Sequence, residues 1–155
     1  MSKNIGIFLG CLLLCQAAGG IGVIATIPNI PTWYEHLHQP SFRPPNWLFG
    51  PVWTILYTLM AIALYKVIKS PHPRKNTLIV VFLIQLALNA AWSFLFFEFH
   101  LLAISLVEII ISLASIVGFT IIVAPVSRIA MYCFLPYIAW VSFASLLNAS
   151  IWYLN

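Results

Sequence analysis

Aspartate is missing altogether from the 155-residue sequence, and three glutamates, Glu35, Glu98 and Glu108, stand against seven Lys and Arg. With 6% charged and 63% hydrophobic residues, too little polar surface exists to clothe a soluble globule of this length, so the chain is expected in a membrane. A net charge of +4 is too small and too dispersed for a nucleic-acid-binding surface. Soluble-enzyme signatures are also lacking: the sequence has no phosphate-cradling glycine loop, HExxH, GxSxG or paired cysteine ligands. Its three cysteines do not make a disulfide framework. Cys11 and Cys15 lie four apart on one apolar run and Cys133 in another, which fits small buried hydrophobes.

What the sequence has in abundance is long apolar runs. A span needs about 20 apolar residues, and five windows qualify: Ile5 to Ile27, Phe49 to Ile68, Thr77 to Phe97, Leu101 to Pro125 and Ile129 to Leu154. The first is too long for the hydrophobic region of a signal peptide and four more follow it, so it is read as a span. The expected fold is an all-α integral membrane protein. It is a five-transmembrane-helix bundle with a structured loop between helices 1 and 2, forming a single domain over residues 1–155. Short connections after the first loop predict sequential helices packed antiparallel.

Lys3, Lys66, Lys69, Arg74, Lys75 and Arg128 all fall on the N-terminal side of these spans and Arg43 alone on the other. This asymmetry predicts a cytoplasmic N-terminus, with the first loop and the C-terminus on the outer side of what the composition fits as a bacterial plasma membrane. Gly6 with Gly10, and Ala18 with Gly22, recur at helical spacing in the first helix. They would admit another helix closely, either within the monomer or in a homodimer.

The informative polar residues are those inside the spans. Gln85, Asn89 and Ser93 repeat every four residues beside Trp92, a stripe too costly to turn toward lipid. Trp140, Ala144 and Asn148 share a face of the fifth helix, as do Phe49, Trp53 and Tyr57 of the second. Three such faces would line one cavity; the alternative is ordinary packing and an interfacial aromatic belt. Glu108, about 10 Å into its helix, is either functional or a protonated or hydrogen-bonded packing residue.

The loop preceding the second helix holds Trp33, Tyr34, Glu35, His36, His38 and Arg43 among prolines, in the stretch PSFRPPNWLFGPVW. His36 and His38 are read as solvated or turn-forming rather than as iron ligands, so no metal is expected. Arg43, the one fixed cation of the outer face, suits a ligand carboxylate or a lipid headgroup. Pro40, Pro44 and Pro45 hold the chain extended, and Pro51 is expected in the first turn of the second helix.

The segments WYEHLHQPSFRPPNWLFGPVWTILYTLM, QLALNAAWSFLFF and PYIAWVSFASLLNASIWYLN resemble the TspO/MBR family, that of the tryptophan-rich sensory proteins and translocator proteins. The resemblance runs from about residue 28 to the end, in the family's order. It implies a five-helix bundle, often homodimeric, whose first loop is a lid over a pocket for porphyrins such as protoporphyrin IX and for isoquinoline or benzodiazepine compounds. Carried over by motif position, the ligand-binding residues would be Tyr34, Pro44 and Pro45 of the loop, Phe49, Trp53 and Tyr57, then Asn89 and Trp92, and finally Trp140, Phe143 and Ala144. Asn148 and Arg43 join them from the residue reading. The family's sterol motif needs a basic residue near the end of the fifth helix, and none follows Arg128 here.

Three functions fit these features. The first is a sensor or receptor that binds tetrapyrroles, with no required cofactor. The second is a transporter of such amphipathic ligands, against which stand the single intramembrane acid and the lack of an inverted repeat. The third is oxidative porphyrin degradation at Trp53 and Trp140, for which no acid–base pair is in evidence.

Overall fold

The computed structural model describes residues 2–155 and places one helix at each expected span, with no strand among the described residues. Helix α1 is Ser2–Thr32, α2 Asn46–Lys69, α3 Lys75–Ser93, α4 Leu102–Val123 and α5 Arg128–Leu154. A π-helical turn, Phe94–Glu98, prolongs α3, and a single 3₁₀ turn, Tyr34–His36, sits in the first loop. All five helices are long and apolar enough to cross a bilayer.

The breaks follow from local chemistry. Pro71 and Pro73 stop α2. His100, at φ 57°, takes the left-handed conformation that reverses the chain between the π turn and α4. Ser127 caps α5, its side chain accepting a hydrogen bond from Ala130 N at 3.2 Å.

Two boundaries differ from expectation. The first helix passes through Pro28 and Pro31 instead of ending at Ile27. Each proline removes one backbone donor, but this end of α1 is held from outside. Asn29 Nδ2 donates to Glu98 Oε2 at 3.1 Å, and α1 packs on both the π turn and the 3₁₀ turn. The second helix begins at Asn46, with extended Pro45 as its N-cap, so Pro51 lies in the second turn rather than the first.

The helices form a ring in the order α1, α2, α5, α4, α3, with α3 returning to α1. Consecutive helices are not always principal neighbours: α2 and α3, despite their short link, touch lightly, and α2 packs mainly on α1 and α5. Lys69 Nζ donates to Asn4 Oδ1 at 2.9 Å, joining the start of α1 to the end of α2. The six cations of the N-terminal side therefore share one end of the bundle, while Glu98, the loop and Asn155 share the other.

Two apolar clusters hold the ring together. The larger, centred on Met60, Phe82, Ile116, Phe119, Phe134 and Tyr137, fills the bundle toward the cationic end. The smaller, Tyr34, Phe96, Phe97, Leu147 and Ile151, sits beneath the loop. Outward residues such as Leu13, Ile24, Val107 and Ile121 are exposed and apolar, a surface suited to lipid. The three cysteines are free, Cys11 and Cys15 within the larger cluster and Cys133 at its margin.

Candidate ligand cavity

Between the two clusters lies a cavity of about 570 Å³, within the range typical of small-molecule sites. Helices α1, α2, α3 and α5 and the π turn wall it, Tyr34 of the loop covers it, and α4 contributes nothing. The i, i+4 stripes meet there as their spacing predicts: Phe49, Trp53 and Tyr57 from α2, Asn89, Trp92 and Ser93 from α3, and Trp140, Ala144 and Asn148 from α5. Gln85, one turn below Asn89, is wholly buried beneath the cavity rather than lining it.

The aromatic walls brace one another. Trp53 stacks on Tyr57 with ring centroids 5.5 Å apart, and Phe49 meets Trp140 edge-on at 5.8 Å. The polar groups are largely paired across helices. Tyr57 OH donates to Asn89 Oδ1, Trp92 Nε1 donates to Asn148 Oδ1 at 3.1 Å, and Asn148 Nδ2 donates to the Leu102 carbonyl at 3.1 Å. Trp140 stands apart, for its Nε1 is fully buried and has no hydrogen-bond partner among the described residues. Among the described residues, no carboxylate, imidazole, thiol or cationic side chain lines the cavity.

Four of the expected site residues lie outside the lining: Arg43, Pro44, Pro45 and Phe143. Arg43 is nonetheless one contact away. Its guanidinium donates to Asn46 Oδ1 and lies 5.0 Å from the centroid of the Tyr34 ring, and both of those residues line the cavity. Burial pushes the Tyr34 phenol above its ordinary value, and the neighbouring Arg43 pulls it partly back. Phe143 stands behind Trp140, at 5.7 Å, and takes the edge of Phe42 from the loop.

The loop is fastened on three sides. Asn155 accepts from His38 N at 2.9 Å and donates to His38 O at 3.0 Å, Asn46 donates to Glu35 Oε1 at 2.9 Å, and Trp33 stacks on His100 at 4.0 Å. His36 closes the 3₁₀ turn, and among the described residues no three His, Cys, Asp or Glu side chains gather as a metal site would require.

The wall supplied by α1 was not expected. Gln16, Gly19, Gly22, Val23, Thr26 and Ile30 all face the cavity. Gly19 and Gly22 are there because anything larger would strike Tyr57 and Ser93: an added Cβ would lie 2.4 Å from Tyr57 Cε2 and 2.9 Å from Ser93 Oγ. Of the small residues read as a helix-packing face, Gly22 and the buried Ala18 are used within the chain, and Gly6 and Gly10 remain open. The signal that could have found this wall is the run Ala17-Ala18-Gly19-Gly20, small enough for an aromatic of another helix to press against.

The comparisons agree with this architecture. The sequence profile of the TspO/MBR family matches residues 11–154. A relative named tryptophan-rich protein TspO, from Chlorobaculum tepidum, is 41% identical, covering 100% of this chain and 99% of its own length. Another of that name from Archaeoglobus fulgidus is 39% identical, with 98% and 99% coverage. The translocator protein of Homo sapiens is 32% identical over 93% of this chain and 82% of its own. With the profile spanning nearly the whole sequence and five apolar helices to carry it, the chain is an integral membrane protein that belongs to the TspO/MBR family.

Proposed function

We propose that this protein is a membrane receptor or sensor that binds flat, amphipathic aromatic ligands, porphyrins of the protoporphyrin type foremost, with isoquinoline- and benzodiazepine-like compounds as further occupants. The observation that carries the reading is the cavity itself: about 570 Å³ walled by Phe49, Trp53, Trp92 and Trp140. Broad aromatic faces favour a flat conjugated ring by stacking and apolar burial. The names of the relatives, tryptophan-rich sensory protein and translocator protein, support a ligand-responsive membrane role.

Charge placement sets the pose. Burying a carboxylate among residues without a cation is costly, so the macrocycle occupies the cavity and its propionates stay at the loop end, where Arg43 lies against Tyr34 and Asn46. The unpartnered Trp140 Nε1 is a donor available to a ligand acceptor. No acid–base pair lines the cavity, so binding ranks ahead of turnover. The cationic end of the bundle faces the cytoplasm and the loop faces outward, following the Lys and Arg asymmetry.

Titration of protoporphyrin against tryptophan fluorescence tests the reading. One equivalent per chain should quench, and Trp53→Phe combined with Trp140→Phe should weaken the affinity at least tenfold. Unchanged affinity in that double variant would remove the pocket assignment.

A further inference from the structure

The cavity is closed toward water and open toward lipid. On the water side, Tyr34 is 4% exposed, and the loop is hydrogen-bonded to α2 and to the end of α5 and packs through Trp33 on Phe96 of the π turn and on His100. On the flank between α1 and α2, residues that line the cavity are at the same time exposed: Gly20, Val23 and Ile27 on one helix, Trp47, Gly50 and Thr54 on the other. A residue that belongs both to a cavity wall and to the outer surface marks an opening.

Two glycines keep it clear. A Cβ built on Gly20 or on Gly50 would meet nothing within 4 Å, unlike one on Gly19 or Gly22. The lower edge is pinned where Gln16 Nε2 donates to Thr54 O and Thr58 Oγ1, each at 3.1 Å. Antiparallel register sets Ile27 opposite Trp47 at the upper edge, so the gap extends for about 16 Å along the helices. The apolar outer surface, with Ile24 and Ile55 exposed, continues on both sides of it, which places the gap within the lipid-facing belt rather than in water.

We propose that ligands reach the cavity from the bilayer, sideways through the gap between α1 and α2, and not from water past the loop. The proposal rests on the cavity being a ligand site, as argued above. It specifies the ligand class as molecules already dissolved in the membrane: flat, largely uncharged ring systems whose ionic groups remain at headgroup level near Trp47 and the loop. Such a ligand keeps its rings in an apolar medium throughout entry, so no step exposes them to water. The glycines leave passage for an aromatic edge between two helices pinned together at Gln16.

Thiol labelling in liposomes tests the route without any porphyrin, so its failure is distinguishable from a failure of porphyrin binding. Ala144→Cys places a thiol on the cavity wall, and the unsubstituted protein with its native cysteines gives the background. An uncharged aryl maleimide, which dissolves in the bilayer, should label the introduced thiol much faster than a permanently charged methanethiosulfonate does. Gly20→Leu with Gly50→Leu should slow the maleimide at least tenfold, whereas Asn155→Ala, which loosens the loop, should leave its rate within about twofold. Equal maleimide rates with and without the two leucines, or equally fast labelling by the charged reagent, would overturn the proposal. Either leucine alone gives a smaller slowing in the same direction, and circular dichroism checks that each variant retains its helices.

Discussion

A Cβ on Gly19 would press to 2.7 Å from Tyr57 Cδ2 and closer still to Cε2, whereas the next residue, Gly20, has open space at the same position. Gly19→Ala must therefore move the Tyr57 ring and break its hydroxyl's bond to Asn89, an overpacking cost of about 1–3 kcal/mol. Gly20→Ala meets no such obstacle and gains about 1 kcal/mol of helix propensity. Thermal unfolding in detergent should show the midpoint falling for the first and holding or rising for the second; equal shifts would mean that the Tyr57 ring is free to yield. The cavity's aromatic and amide residues were legible in the sequence because polar side chains at four-residue spacing in an apolar run can face only inward. Gly19 was not, since a glycine's role depends on which side chain another helix presents to it, and no pattern within one helix records that.

At the scale of elements the loop behaves as a fastened cover. Its firmest tie is the pair of bonds between the Asn155 side chain and the backbone of His38, each worth about 0.5–1.5 kcal/mol net. Asn155→Ala should raise amide hydrogen exchange across residues 37–43 by roughly tenfold, with α3 unchanged; unaltered protection there would show that Trp33 on His100 and Asn46 on Glu35 suffice. The end of α1 taught a related lesson. Pro28 reads locally as a stop, and the helix nonetheless continues to Thr32, because Asn29 is tied to Glu98, sixty-nine residues away. Where nothing distant intervenes, local chemistry accounts for a helix end, as at Pro71 and Ser127, and where a tertiary bond does, it falls short.

Over the whole molecule the polar groups divide into two layers. Near the loop, Tyr57, Asn89, Trp92 and Asn148 are bonded across the ring. Deeper, Gln85 is wholly buried with neither side-chain atom bonded, and both Glu108 carboxylate oxygens likewise lack partners. An unbonded buried amide destabilises by about 1–3 kcal/mol, so Gln85→Leu should raise the unfolding midpoint, and a fall would show that the amide is engaged. Five spans could be counted from hydropathy, but their ring order could not, because apolar faces specify that helices pack and not which partner each chooses. That order has a mechanical consequence. Residues 33–45 both cover the cavity and join the two helices that flank its lateral gap. They form a tether of limited reach across the mouth, stiffened by three prolines. The lips can part at that end no further than those thirteen residues reach, so the chain itself sets a ceiling on the width of the membrane entrance.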